Sequence, residues 1–326
     1  MHNYWVITTK FILLFGWFIL ILMLSSLMGT ADMAWCFPWQ SDEMAAVFWE
    51  IRLPRIICTV LIGAMLSLSG AVFQAVFQNP LVSPDLLGAT SGAALGIILS
   101  AFLGVQEWWL PLGGLVTGSL ITAFCVLISR IIGKGRGLNQ LVLILTGILL
   151  SSLIVAVINL LHYFMPKEST MLGITTFLMG SLNGLNYDDM LLLLVFGGGT
   201  SLGMFIMSGK MNLLALPLDV LETQGIRVVF LCLFSLFLAS LCVCSTVAVA
   251  GIIGWVSLII PNLSRMWVGG DNRIMLPLSA LMGACFMLTA DFCSRAFTVV
   301  EIPVGILVGI IGCPVFLLIM ARNLRH

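Results

Sequence analysis

The sequence predicts an all-α, polytopic membrane protein with ten transmembrane helices. Its 326 residues are 60% hydrophobic and only 9% charged, whereas soluble domains carry about 25% charged residues to solvate their surface. Runs of about 20 apolar residues, the length that crosses a bilayer, recur between short clusters of charged residues, Gly, Pro and Asn. The lipid bilayer is therefore the main solvent, and the formal net charge of +0 gives no reason to expect nucleic acid as a partner.

Ten apolar runs cover the chain, which we treat as a single transmembrane domain of residues 1–326. The first run, from Phe11 to Met28, is too long for the apolar core of a typical signal peptide, so we keep it as a span. The predicted spans begin near Phe11, Ile56, Leu86, Leu110, Leu141, Met190, Val228, Ile252, Met275 and Pro303.

The distribution of Lys and Arg predicts that both termini lie in the cytoplasm, because basic residues near span ends are retained there. In this orientation only Arg52, Arg55, Lys167 and Arg295 lie outside, and the other basic residues lie inside. The group of spans two to five then begins outside, whereas the group of spans seven to ten begins inside. This opposite polarity suggests an inverted repeat of two groups of four helices.

The placement of charge argues against an ion-coupled carrier, which usually has a charged residue near the middle of a span. Here the charged residues fall at the predicted span ends, and the span interiors hold Gly, Ser, Thr and Met. No GxxxxGK[ST] loop is present, since Gly133 and Lys134 are followed by Gly135. If ATP drives the protein, another chain must bind it. No Ser and His pair, HExxH motif or pair of intramembrane aspartates indicates an enzyme.

Cysteine and histidine give no sign of a metal site or other cofactor in this chain. Eight of the nine cysteines lie in apolar runs, where Cys behaves as a small hydrophobic residue. Cys242 and Cys244 are two residues apart but lack a nearby His or a second pair, and His162 stands alone.

Three segments interrupt the apolar pattern. Residues 78–85 contain two prolines, which forbid a continuous helix, and residues 251–255 contain two glycines, which permit a break or a close backbone approach. Either segment can be simple punctuation between spans. Residues 211–227 form the longest predicted cytoplasmic stretch and read as a short helix, which is either a solvated connector or a docking element.

Motif residues at specific spacings connect these segments. They are Gln74, Asn79, Pro80, Pro84 and Gly88 around the end of span two, Pro261, Asn262 and Arg265 in span eight, and Glu301, Pro303 and Gly305 before span ten. In this order they resemble the FecCD or BtuC-like permeases, the family that imports iron siderophores, haem and cobalamin. The resemblance covers most of the chain and implies an inner-membrane permease with ten helices per subunit.

The same resemblance implies the partners of this chain. They are a second permease subunit, identical or not, two cytoplasmic ATPase subunits that hold the ATP and Mg²⁺, and an external substrate-binding protein. In such systems outer arginines pair with acidic residues of the binding protein, and Arg52, Arg55 and Arg295 are the matching positions. Interfacial arginines also anchor helix ends without any partner, so this alternative stays open.

The resemblance also favours the docking interpretation of the cytoplasmic segment, as a pair of coupling helices against the ATPase. Its candidate contact residues are Leu216, Pro217, Asp219, Leu221, Glu222 and Gly225. Pro217 and Gln224 depart from the family's usual Leu-Gly pairs, which leaves the individual contacts open. Asn139 and Gln140 match a cytoplasmic gate, or are simply polar residues at a helix start. Asn262 stands where the family commonly has His, and an amide cannot titrate near neutral pH.

These patterns together predict a transport subunit that performs no covalent chemistry and moves a metal chelate into the cytoplasm by alternating access. An iron siderophore is the first candidate cargo. The alternatives are haem, cobalamin, molybdate or tungstate on the same architecture, and an ion-coupled secondary transporter that works alone.

Overall fold

The computed structural model describes residues 2–27, 41–133, 139–164, 170–215, 227–296 and 301–323. Over these ranges the chain is helical and has no strand, which confirms the all-α prediction. The helices are α1 (His2–Leu27), α2 (Asp42–Val76), α3 (Ala89–Phe102), α4 (Leu110–Ile132), α5 (Gln140–Phe164), α6 (Thr170–Leu178), α7 (Tyr187–Ala215), α8 (Val228–Ala250), α9 (Val256–Val268), α10 (Asn272–Ala296) and α11 (Val304–Asn323).

Seven helices in the described part of the chain are long and apolar enough to cross a membrane, namely α1, α2, α4, α5, α7, α8 and α10. Helices α3 and α11 are apolar but shorter, and they correspond to predicted spans three and ten. The 13-residue helix α9 corresponds to predicted span eight. The predicted count of ten is consistent with these helices. Helix α6 was not predicted, because its nine residues fall far below the length of a span.

Side-chain caps set the starts of α2 and α7. Asn186 forms a capping box with Asp189 at the start of α7, so that backbone and side chain satisfy each other's donors. Ser41 accepts a hydrogen bond from the Met44 backbone N–H at the start of α2. Both helices contain a π-helical stretch, Val47–Arg52 in α2 and Leu193–Gly198 in α7.

The bundle has two ends, which side-chain contacts define. The arginine end holds Arg55 and Arg295, and the amide end holds Gln74 and Arg265. Helix α2 runs from the arginine end to the amide end, and α10 runs in the opposite direction. Helix α1 begins near the amide end, where Lys10 Nζ donates to the Trp267 carbonyl at 2.9 Å. Helix α11 starts at the arginine end and runs towards the amide end, as α2 does.

Helices α2 and α10 form the centre of the bundle together with α8, and most residues of their spanning windows are buried. Gly63 and Gly283 allow α2 and α10 to touch backbone to backbone. A Cβ atom on Gly63 would lie 2.3 Å from the Gly283 carbonyl oxygen, and one on Gly283 would lie 2.2 Å from the Gly63 carbonyl oxygen. Small residues at a helix crossing are the usual means of close packing in membranes.

Helix α3 starts inside the bundle, not at its end. The Ser151 hydroxyl lies 3.4 Å from the Asp85 carbonyl oxygen, which places Asp85 beside the middle of α5, about 16 Å from the start of that helix. Gly88, with φ 77°, then turns the chain into α3. The predicted start at Leu86 is therefore three residues early, because Pro84–Leu87 forms a 3-10 turn.

Helix α9 starts inside the bundle in a related way. Residues 251–254 are irregular, and Gly251 has φ 72° and packs against the Phe177 carbonyl, where a Cβ atom would lie 1.9 Å from the oxygen. Trp255, with φ 67°, precedes the first turn.

The helices form two groups of four. The first helix of the group α2 to α5 begins at the arginine end, and the first helix of the group α8 to α11 begins at the amide end. Within each group, successive helices run in opposite directions. The two groups thus have the opposite polarity that the sequence suggested.

Candidate functional site

Four charged side chains meet at the arginine end, and we call them the arginine cluster: Arg55, Asp291, Arg295 and Glu301. The Arg55 guanidinium lies 2.9 Å from Asp291 Oδ1 and 3.0 Å from Glu301 Oε2. Arg295 Nη2 lies 2.8 Å from Asp291 Oδ2. The Asp291 side chain is 0% exposed, so one fully buried carboxylate is shared between two guanidinium groups.

Three separate elements bring the arginine cluster together. Asp291 and Arg295 lie one turn apart on α10, the spacing at which an acid and a base meet on a helix face. Arg55 follows Pro54 in the α-helical part of α2. Glu301 precedes α11, and the Ser294 hydroxyl fixes this approach by donating to the Ile302 carbonyl.

The arginines at this end also hold the last turn of α1. Arg52 Nη1 donates to the Ser26 carbonyl at 3.0 Å and to the Leu27 carbonyl at 3.3 Å. Arg295 Nη2 donates to the Ser25 hydroxyl at 2.6 Å. The final carbonyls of a helix carry a partial negative charge and lack intrahelical partners, so a cation there is favourable.

All three arginines predicted to dock a binding protein are buried within this chain, with 5 to 7% of each residue exposed. They contact α1, Asp291 and Glu301 instead of projecting freely outward. Arg55 and Arg295 pair with Asp291 and Glu301, whereas within the described ranges Arg52 donates only to backbone carbonyls of α1. Docking stays a prediction, and internal anchoring of helix ends is the role that the contacts show directly.

A cavity of about 580 Å³, lined by polar and apolar residues, opens at the amide end, and we call it the amide-end cavity. Motif residues from α2, the segment after it and α9 meet here, although up to 191 residues separate them. The cavity is lined by Gln74, Ala75, Gln78, Asn79, Pro80, Met211, Ala215, Asn262, Arg265, Met266, Gly270 and Asn272.

Pro261 shapes the wall of this region. A proline lacks the N–H that would bond the carbonyl four residues earlier, which here belongs to Ser257. That freed carbonyl packs against Gly70, where a Cβ atom would lie 1.8 Å from the oxygen. The next carbonyl, of Leu258, accepts hydrogen bonds from Gln74 Nε2 at 3.2 Å and from Asn262 Nδ2 at 2.8 Å.

Asp271 lies beside the cavity, in the link between α9 and α10. Its carboxylate accepts hydrogen bonds from Asn212 Nδ2 at 2.6 Å and from the Arg273 backbone N–H at 3.0 Å. The Asn212 side chain, followed by the Arg273 backbone, holds the pKa of Asp271 below its usual range. Asn212 also accepts from Asn272, so these contacts join the ends of α7 and α10.

The predicted gate residues start α5. Asn139 Oδ1 accepts from the Val142 backbone N–H at 3.3 Å, and Gln140 Nε2 donates to the Val76 carbonyl at 3.1 Å. Both residues are exposed. The Asn139 contact is that of a polar residue at a helix start, the Gln140 contact joins α5 to the end of α2, and the gate stays a prediction. The predicted coupling residues Leu216, Pro217, Asp219, Leu221, Glu222 and Gly225 lie outside the described residues.

The remaining motif residues shape the backbone. Gly305 donates its N–H to the Gly180 carbonyl at 3.1 Å, and a Cβ atom on it would lie 2.2 Å from the Met179 carbonyl oxygen. Pro303 directly precedes α11, and Pro84 begins the 3-10 turn before Gly88. These residues fix the entries to helices α3 and α11 and present no chemistry of their own.

Two acidic residues were not predicted as site residues. Asp291 is the centre of the arginine cluster, and its spacing of four from Arg295 was the available signal. Asp85 was expected at a span end but lies beside the middle of α5. The residue is exposed, and its carboxylate accepts a hydrogen bond from the Thr90 hydroxyl. Within the described ranges, no group of three or more His, Cys, Asp and Glu residues is placed to hold a metal ion.

The model of the FecCD transport family matches residues 12–322, nearly the whole length of the helical bundle. The chain belongs to the FecCD transport family. Membership agrees with the resemblance that the motif residues indicated, and it makes the chain a permease subunit of an ABC importer.

Curated relatives of this chain are permeases for different cargoes. The chain is 38% identical to the molybdate import system permease protein MolB of Haemophilus influenzae over 83% of this chain and 79% of that protein. It is 32% identical to the hemin transport system permease protein HmuU of Yersinia pestis, over 95% and 96% of the two chains. It is 31% identical to the vitamin B12 import system permease protein BtuC of Salmonella newport, over 94% of each.

Solved structures agree with the FecCD fold. A structure described as an inward-facing conformation of a metal-chelate type ABC transporter superposes with a TM-score of 0.84 at 34% identity, covering 95% of this chain and 99% of that one. PsaBC from Streptococcus pneumoniae, solved in complex with Fab, has a TM-score of 0.61 at 19% identity, over 85% and 94% of the two chains. The second likeness concerns the fold alone.

Proposed function

We propose that this chain is the permease of a binding-protein-dependent ABC importer that moves a metal chelate into the cytoplasm by alternating access. The observation that carries the proposal is the superposition with the metal-chelate type ABC transporter over 95% of this chain. An iron siderophore is the first candidate cargo, and the chain is similar to iron chelatin permeases of Helicobacter pylori at 35% identity.

The proposed complex contains a second permease subunit, two cytoplasmic ATPases that bind ATP and Mg²⁺, and an external binding protein. The chain lies in the inner membrane as one multi-pass domain with both termini in the cytoplasm. The inward bias of Lys and Arg supports this orientation, and it places the amide end inside and the arginine end outside. The residues that precede and follow the undescribed segment 216–226, Ala215 and Arg227, then lie on the ATPase side.

The arginine cluster supports docking of the binding protein at the outer end. Beside the cluster, Arg52 donates to backbone carbonyls and pairs with no carboxylate in the described ranges, and complementary charge across an interface steers association and fixes register. Glu301 is the more exposed of the two internal carboxylates, at 22% against 0% for Asp291. An acidic side chain of the binding protein would compete with Glu301 for Arg55 and leave the buried pair with Asp291 in place.

Molybdate is the second candidate cargo, because the chain is 38% identical to MolB over most of both proteins. Haem and cobalamin remain alternatives through the relatives HmuU and BtuC. Cargo choice is decided chiefly by the binding protein in this proposal, so the permease sequence does not separate these candidates.

The test is to purify the chain with its ATPase and binding protein and to measure ATP hydrolysis in nanodiscs. We expect the binding protein loaded with a ferric hydroxamate siderophore to stimulate hydrolysis several-fold above the unloaded protein. Parallel titrations of the binding protein with hemin, cobalamin and molybdate assign the cargo. Failure of this chain to associate with any ATPase would contradict the proposal.

A further inference from the structure

The amide-end cavity contains one charged lining residue, Arg265, whose charge no carboxylate in the described ranges neutralises. All the ion pairs in the described ranges belong to the arginine cluster, at the opposite end of the bundle. Asp271 is the acidic residue beside the cavity, but it does not line it and accepts its hydrogen bonds from Asn212 and the Arg273 backbone. The lining residues in the described ranges therefore carry a net positive charge.

Two amides hold one edge of the Arg265 guanidinium. Its Nη1 atom donates to Gln74 Oε1 at 3.1 Å and to Asn262 Oδ1 at 3.2 Å. Within the described ranges its Nε and Nη2 atoms donate no hydrogen bond. An arginine presents five N–H donors in a planar fork, and the Nε and Nη2 edge matches two oxygens of a carboxylate or phosphate.

The orientation of the two amides is fixed by backbone carbonyls, which leaves their oxygens for Arg265. Gln74 Nε2 donates to the Leu258 carbonyl, and Asn262 Nδ2 donates to both the Leu258 and Pro80 carbonyls, the latter at 2.9 Å. Neutral amides position the guanidinium without cancelling its charge. A carboxylate in either place would have closed the site to an anion.

The size of the cavity favours a group larger than one carboxylate. Its volume of about 580 Å³ lies within the range of small-molecule sites. Half of its lining residues have polar side chains, and the others are alanine, glycine, proline and methionine. Phosphate is a multi-oxygen anion that uses a bidentate arginine well. It is available at a membrane surface both as the free ion and as a phospholipid headgroup.

We propose that the amide-end cavity is an anion site in which the Nε and Nη2 edge of Arg265 binds a phosphate group. The phosphate belongs to a free anion or to a phospholipid headgroup, and the chemistry of recognition is the same for both. The proposal stands whatever the cargo of the permease is, and it does not depend on which end of the bundle faces the cytoplasm.

The test uses the purified full-length chain in detergent and follows thermal unfolding against inorganic phosphate at constant ionic strength set with chloride. A ligand that binds only the folded state raises the unfolding temperature in a saturable way. We expect such a rise in the wild type and an apparent affinity weakened about ten- to hundredfold in Arg265→Gln, from the loss of a charge-assisted bidentate contact. Arg273→Gln removes an equal charge from an exposed residue outside the cavity lining and should bind like the wild type.

A second arm tests the lipid source by counting, with native mass spectrometry, the phosphatidylglycerol molecules that the chain retains from phosphatidylglycerol nanodiscs. Phosphatidylglycerol retention that is lost in Arg265→Gln but kept in Arg273→Gln assigns the site to a lipid headgroup. A saturable rise of the unfolding temperature with inorganic phosphate assigns it to the free ion. Ala75→Leu, which extends into the cavity and leaves Arg265 in place, should weaken binding even if Arg265→Gln folds poorly. If the wild type binds neither probe, or if Ala75→Leu and Arg265→Gln bind as the wild type does, the proposal is wrong.

Discussion

Arg55 and Asp291 form an ion pair at 2.9 Å although 236 residues separate them in the chain. Their side chains are 9% and 0% exposed, so the pair is almost closed to solvent. It joins α2 to α10, the two helices that also touch at Gly63 and Gly283, eight residues along each helix from the ion pair. A buried carboxylate that serves two arginines is difficult to replace, because each partner would keep an uncompensated charge.

Asp291→Asn should destabilise the folded chain by about 3 to 5 kcal/mol, the cost of breaking a buried pair from one side. Arg55 and Arg295 both lose their shared carboxylate in this variant. The measurement is reversible unfolding in mixed detergent micelles, compared with the wild type. Glu301→Gln is the matched control, since it makes the same chemical change at a side chain that is 22% exposed, and it should cost clearly less. Equal losses for the two variants would show that burial of Asp291 does not matter.

Gly63→Ala and Gly283→Ala should each destabilise the chain by about 1 to 3 kcal/mol through overpacking of the crossing. The added methyl group would meet backbone, at 2.3 Å in one case and 2.2 Å in the other, and backbone cannot move aside cheaply. Gly199→Ala is the control, because nothing lies within 4 Å of its would-be Cβ and alanine has the higher helix propensity. Thermal unfolding of all three in one detergent gives the comparison, and a neutral result at Gly63 would contradict the close approach.

Arg52→Gln should weaken binding of the external binding protein about tenfold, if the arginine end is the docking surface. Arg52 is suited to this test because its observed partners are the Ser26 and Leu27 carbonyls, so its loss strands no carboxylate. Affinity is measured by surface plasmon resonance on nanodiscs, with thermal unfolding recorded beside it. Lys10→Gln removes a positive charge at the amide end and should leave the affinity unchanged. Unaltered affinity in Arg52→Gln would leave the arginine with its anchoring role alone.

Asp85→Cys should react with a membrane-impermeant, charged thiol reagent. A carboxylate beside the middle of α5 must face water or protein, because exposure to hydrocarbon is costly. Leu87→Cys lies two residues further on and is 0% exposed, so it should stay unmodified. Peptide mass spectrometry gives the extent of labelling at each position. Equal protection of the two cysteines would show that Asp85 does not face an aqueous path.

The span count and several helix starts could be predicted from the sequence because hydrophobic length is a local property. Leu110 and Val228 were predicted as span starts, and α4 and α8 begin at those residues. Leu86 and Ile252 were placed too early, since an apolar run does not reveal that its first residues form a 3-10 turn or an irregular segment. The opposite polarity of the two helix groups followed from counting alone.

The charged and polar clusters could be predicted only in part. Asp291 and Arg295 stand four apart on one helix, so their pairing was readable. The contacts of Arg55 with Asp291, and of Gln74 with Arg265, join residues 236 and 191 apart, and no local pattern specifies such distances. For the outer arginines the sequence left docking and anchoring of helix ends both open, and in the fold their contacts hold α1, α2 and α10 together.

The most direct test of the proposed import function is uptake into proteoliposomes that contain the complete permease and ATPase complex. With ATP on the ATPase side and a binding protein loaded with radiolabelled ferric siderophore on the other, we expect uptake that requires both ATP and the binding protein and stops with vanadate. Uptake by this chain without an ATPase, driven by a proton or sodium gradient, would contradict the proposed function and identify a secondary transporter.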